Sequence, residues 1–139
     1  MAGHAETVRE LFERGFTGGD IGVIERIAHP DMTYVQPSVP PGLEGLRVIV
    51  ELNNDAFADW RFDVDELIES GDRVAVRWTA RGRHENTYVG EGPTNREVVL
   101  SGISIYGFRG DRIVEAWSSP DTLGLLQQIG VVPEMALVD

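Results

Sequence analysis

The chain has 139 residues, 42% of them hydrophobic and 25% charged, with 12 Lys and Arg against 23 Asp and Glu and a net charge of −11. That length suits a single domain (1–139) with a core of its own, and so acidic a surface repels phosphate backbones and anionic lipid, which argues for no nucleic acid and no membrane among its partners. The absence of cysteine excludes disulfides, thiolate zinc sites and a cysteine nucleophile, and the three histidines (His4, His29, His84) are too scattered to build a metal centre.

Along the chain, Val8, Leu11, Phe12 and Phe16 recur at helical spacing and predict a helix over 5–16, stopped by Gly18 and Gly19. Asp20 is placed to cap a short second helix carrying Ile21, Ile24 and Ile27. His29, Pro30 and Asp31 break it, and 32–35 reads as a brief strand. After the proline-rich loop 37–42, a third helix is expected over 43–58, with Leu46, Ile49, Val50, Asn53 and Phe57 on one side. Beyond Trp60 the period changes to two: Phe62 and Val64 alternate with Asp63 and Asp65. Turns at Ser70–Asp72 and at Arg109–Asp111 separate strands over 73–84, 96–108 and 112–118. Asp121 caps a final helix over 122–129 that Gly130 closes. Short turns impose antiparallel neighbours. The expectation is therefore an α+β fold, a cone-shaped curved antiparallel sheet packed on N-terminal helices.

The two long strands bear on function. One face of 98–108 carries Val98, Leu100, Gly102, Ser104, Tyr106 and Phe108, and the other carries Val99, Ser101, Ile103, Ile105 and Gly107. Both are largely apolar, so both should be covered: one by helices over a ligand cavity, the other by a second copy in a homodimer. With a polar N-terminus and no apolar run long enough to span a bilayer, a cytoplasmic location is expected.

Several segments taken in order resemble the SnoaL-like polyketide cyclases (ester cyclase family), which belong to the nuclear-transport-factor-2-like superfamily. These are Val8–Phe12 with Gly18–Asp20, Ala28–Asp31, Gly71–His84, Gly102–Tyr106, Asp111–Trp117 and Pro120–Gly130. The resemblance implies a small-molecule ligand and ring closure by an aldol step with no metal and no cofactor. It also implies a general acid/base carboxylate on the last strand and an assisting histidine on its neighbour. In this sequence those positions hold Ser118 and Ser104, and a nearby glutamine position holds Gly102. Serine does not titrate near neutrality, so the proton chemistry must be carried differently.

The residues singled out for catalysis are Glu115, Tyr106 and Ser118. Glu115, if buried, would be a general base, and otherwise an exposed ion-pair partner. Tyr106 and Tyr34 offer phenolic donors for a carbonyl, or else are core tyrosines with a hydroxyl at the rim. For binding, the candidates are Tyr34, Trp78, His84, Ser104, Trp117 and Asp121. The indoles would serve as walls, His84 as an acid/base or a surface group, and Asp121 as a cavity acid or simply a helix cap. Together they predict a cofactor-free enzyme that cyclises or isomerises an apolar, oxygenated, polyketide-type molecule. The alternative is a non-catalytic small-ligand-binding protein that kept the cavity and lost the carboxylate.

Overall fold

A computed structural model describes residues 3–135. The first helix, α1 (His4–Glu10), continues as a wider π-helical turn over Leu11–Phe16, closed by a Thr17 N–H to Phe12 carbonyl bond of 3.1 Å. Then follow α2 (Ile21–Ile27), β1 (Ala28–Val35), α3 (Gly42–Ala56), β2 (Phe57–Ser70), β3 (Arg73–His84), β4 (Glu97–Arg109), β5 (Arg112–Pro120) and α4 (Thr122–Gln128). Asp20 caps α2 by accepting from the Val23 N–H, and Asp121 caps α4 by accepting from Gly124.

The five strands form one curved, unclosed sheet in the order β1-β5-β4-β3-β2. Two short turns, after β2 and after β4, and the longer loop 85–96 between β3 and β4 leave β2 to β5 antiparallel, as expected. β1 adds a parallel pair against β5, so the sheet is mixed. That strand begins at Ala28, earlier than the broken-helix reading of 29–31 predicts; Pro30 is tolerated because β1 is an edge strand. β2 likewise begins at Phe57, inside the stretch expected to be helical. Asp59 takes φ +54, and the register shifts between Ala58 and Arg61, a bulge that keeps both Phe57 and Trp60 buried and hides the alternation.

The core fills the concave side. Val8, Leu11 and Phe12 from the N-terminal helix, Ile24 and Ile27 from α2, and Leu46 and Val50 from α3 pack on Val74, Val76, Ala80, Val98 and Ile113 of the sheet. Burying side chains of this size stabilises the fold by roughly 1.5–3 kcal/mol each. Among the described residues no helix covers the apolar row of the convex side, where each cross-strand pair sets like-facing residues beside one another. Val35, Trp117, Ile105, Ala75 and Ile68 are successive partners across all five strands.

Candidate functional site

Between α3 and the sheet lies a cavity of about 600 Å³, its open mouth included, although the centre of a water molecule can occupy only about 60 Å³ of it. That is room for a few waters, so a larger occupant has to part the walls. Phe12 and Phe16 of the π-helical turn, Leu46, Ile49 and Val50 of α3, and Trp60, Phe62, Trp78 and Leu100 of the sheet make those walls apolar. Against them stand Tyr34, Ser104, Tyr106 and Ser118 on the sheet, with Gln36 after β1 and Asn53 and Asn54 on α3.

Strand register explains the hydroxyl cluster. Tyr34 of β1 pairs with Ala116 of β5, which pairs with Tyr106 of β4, so two phenols share one inner row across a small alanine. One row further along, Ser118 pairs with Ser104, and their hydroxyl oxygens lie 2.8 Å apart. Trp78 Nε1 donates to Ser104 Oγ at 3.0 Å. Because an indole N–H only donates, Ser104 must accept there and send its own hydrogen elsewhere. Tyr34 donates in turn to Gln36 Oε1. Desolvation pushes the Tyr34 phenol far above its ordinary range, against a weaker opposing hydrogen bond from Ser118. Tyr106 is displaced upward too, first by burial and then by the nearby Tyr34 oxygen, with Ser104 opposing. Both phenols are therefore neutral hydrogen-bond donors at physiological pH, not bases.

The family model for SnoaL-like polyketide cyclases matches residues 6–129. The chain belongs to that family. No curated protein matches it by sequence. Among solved structures it is similar to TsrD from Streptomyces laurentii, with 25% identity, a TM-score of 0.80, and 91% of this chain and 97% of that one covered. It is similar also to IdmH from Streptomyces antibioticus, named as a candidate polyketide cyclase, with 27% identity, a TM-score of 0.79, and coverage of 93% and 99%. AclR from Streptomyces galilaeus shares the fold at 23% identity and a TM-score of 0.84, with 97% and 87% covered. This is the nuclear-transport-factor-2-like α+β architecture.

Measured against the expected site of a SnoaL-like protein, the structure gathers Tyr34, Trp78, Ser104, Tyr106 and Ser118 around one cavity. Glu115 does not join them. It lies on the convex side, ion-paired with Arg73, because an alternating strand that turns Ser118 and Ala116 inward turns Glu115 and Trp117 outward. Trp117 is 51% exposed and is no cavity wall. Asp121 caps α4 beside a shallow depression on the sheet's outer side. His84 is completely buried, but behind the cavity: its Nδ1 accepts from the Thr94 N–H at 3.2 Å, and its ring lies 5.6 Å from that of Phe57. Sequence reasoning missed Gln36, Asn53 and Asn54. A polar residue on the apolar stripe of α3 was the available signal for Asn53. Among the described residues, no group of three or more His, Asp or Glu side chains is placed to hold a metal ion.

Proposed function

We propose that this SnoaL-like protein is a cofactor-free enzyme that cyclises or isomerises a neutral, apolar, oxygenated molecule of polyketide type. The observation that carries the proposal is the run of neutral hydroxyls, Tyr34, Ser118, Ser104 and Tyr106, set in an otherwise apolar cavity. Such a run does acid/base work without a charged group. In an aldol closure from an enol, the enol carbon bonds to a carbonyl carbon. The carbonyl oxygen then takes a proton from Tyr106, which Ser104 and Ser118 refill in turn, while the enol oxygen returns one to Ser118, so every hydroxyl ends as it began and Tyr34 keeps its bond to Gln36. Phenols held neutral by burial also donate to the growing negative charge on that oxygen. Unpaired charge is expensive inside such walls, which selects uncharged substrates.

The test is turnover of a panel of neutral aryl polyketones bearing 1,3-dicarbonyl units, followed by ultraviolet absorbance of the cyclised product. Tyr106→Phe and Ser104→Ala should each lower the rate by about tenfold or more. Glu115→Gln should leave it unchanged, since its partner is Arg73 on the far side of the sheet. That no carboxylate or imidazole stands among the described residues of the lining favours a second reading, a non-catalytic binder. Tight binding of these ketones with no turnover would select that reading.

We propose further that the protein is a homodimer closed through the convex side of the sheet. Val35, Ile105, Trp117 and Ile68 are each at least 40% exposed and stand in one transverse row. Beside it Arg77, Arg81 and Arg83 are paired with Glu66, Asp63 and Glu85, so the strong negative charge of the chain is offset on this face. A two-fold axis would lay the apolar row on its own copy.

A further inference from the structure

Among the described residues of the cavity lining, Asn53 carries a polar side-chain atom that is both buried and unpaired. It sits on the buried stripe of α3, 8% exposed, facing the sheet across the cavity. Its neighbour Asn54 is engaged, donating to the Val50 carbonyl at 2.9 Å and to the Phe16 carbonyl at 3.3 Å. Asn53 Oδ1 has no hydrogen-bond partner and is shut away from water. A buried acceptor without a donor weakens the fold, and an apolar side chain of similar size would remove that cost. The terminal torsion of asparagine is soft, so the carboxamide can turn either of its polar atoms toward an occupant.

We infer that Asn53 is a specificity-determining residue that selects ligands carrying a hydroxyl group on the side facing α3, opposite the carbonyl received by the tyrosines. The inference rests on the proposed carbonyl-binding role of the sheet hydroxyls and adds a second polar point to the ligand. A hydroxyl suits the position because it donates to Oδ1 and, after a turn of the amide, accepts from Nδ2. A site built to hydrogen-bond a hydroxyl also rejects the analogue that lacks it, since its own polar group is then left buried and unpaired.

The test uses 1-tetralone and its set of monohydroxy derivatives as probes, with dissociation constants measured by titration calorimetry. The wild-type protein is expected to bind at least one hydroxytetralone about tenfold more tightly than 1-tetralone. Asn53→Leu should bring that ratio to about one while leaving 1-tetralone affinity within about twofold. It should also raise the ligand-free melting temperature by a few degrees, which a merely structural asparagine would not do. Asn53→Ala, read for the same ratio, serves if the leucine disturbs α3. An unchanged ratio in both variants, or a lowered melting temperature in Asn53→Leu with the ratio intact, overturns the inference and leaves carbonyl binding standing. Loss of hydroxyl preference in the Asn53 variants, with affinity unaffected by Tyr34→Phe and Tyr106→Phe, upholds Asn53 and overturns the carbonyl role. Failure of every tetralone to bind overturns both.

Discussion

Tyr34 and Tyr106 are the residues on which the proposed chemistry turns, and their environment has a consequence for stability that can be measured without a substrate. An unfolded tyrosine titrates near pH 10. Both phenols titrate well above that in the folded chain, chiefly through desolvation. Above pH ~10 the unfolded chain releases protons that the folded chain keeps, so stability falls as pH rises. The contribution is fully present below pH ~10, and each phenol removes about 1.4 kcal/mol per pH unit beyond it. Tyr34→Phe and Tyr106→Phe should each flatten the pH dependence of urea unfolding between pH 10 and 11.5 by about that slope. A slope equal to the wild type in both would show that the phenols are not buried as described. Below pH 9 the same phenols stay protonated, so any activity that depends on them as donors should not lose them to deprotonation there. Strand alternation puts Ser104 and Tyr106 on one face in the sequence, and the register brings Tyr34 and Ser118 beside them. Glu115 and Trp117 alternate with Ala116 and Ser118 and so face the convex side, which the same alternation dictates once Ser118 is turned inward.

At the scale of elements, two glycines set the shape of the cavity wall. Gly82 on β3 leaves space for the Trp60 ring, and Gly102 on β4 lies directly opposite Trp78 and leaves space for that indole. A Cβ at either position would press on the aromatic ring. Gly102→Ala should therefore displace Trp78, break its bond to Ser104 and destabilise the fold by about 1–3 kcal/mol, as overpacking does. Thermal unfolding measures this, and a melting temperature equal to the wild type would contradict it. The helices and hairpins were legible because their signals are local: apolar spacing for α1 and α3, Asp20 and Asp121 as caps, Gly–Asp turns between strands. What escaped was long-range or irregular. β1 joins β5 across most of the chain, the end of the first helix widens to a π-helical turn, and Asp59 interrupts the alternation of β2. None of these leaves a periodic trace.

For the molecule as a whole, the concave side is filled by helices and cavity, whereas the convex side presents its apolar row to solvent. If a second copy covers that row, Ile105→Asp or Trp117→Asp should convert a dimer to a monomer in size-exclusion chromatography with light scattering, without unfolding either. A wild-type monomer at micromolar concentration would remove the dimer. The arrangement also distributes the three tryptophans in a useful way. Trp60 and Trp78 are 3% and 4% exposed and look inward, while Trp117 is 51% exposed and looks outward. Their emission is thus divided by location: a water-borne quencher such as iodide reaches one indole, and a guest in the chamber touches the other two. With Trp117→Phe the remaining fluorescence becomes an internal gauge of occupancy, and the lost component becomes a gauge of self-association, so two questions can be read from the light of one unlabelled protein.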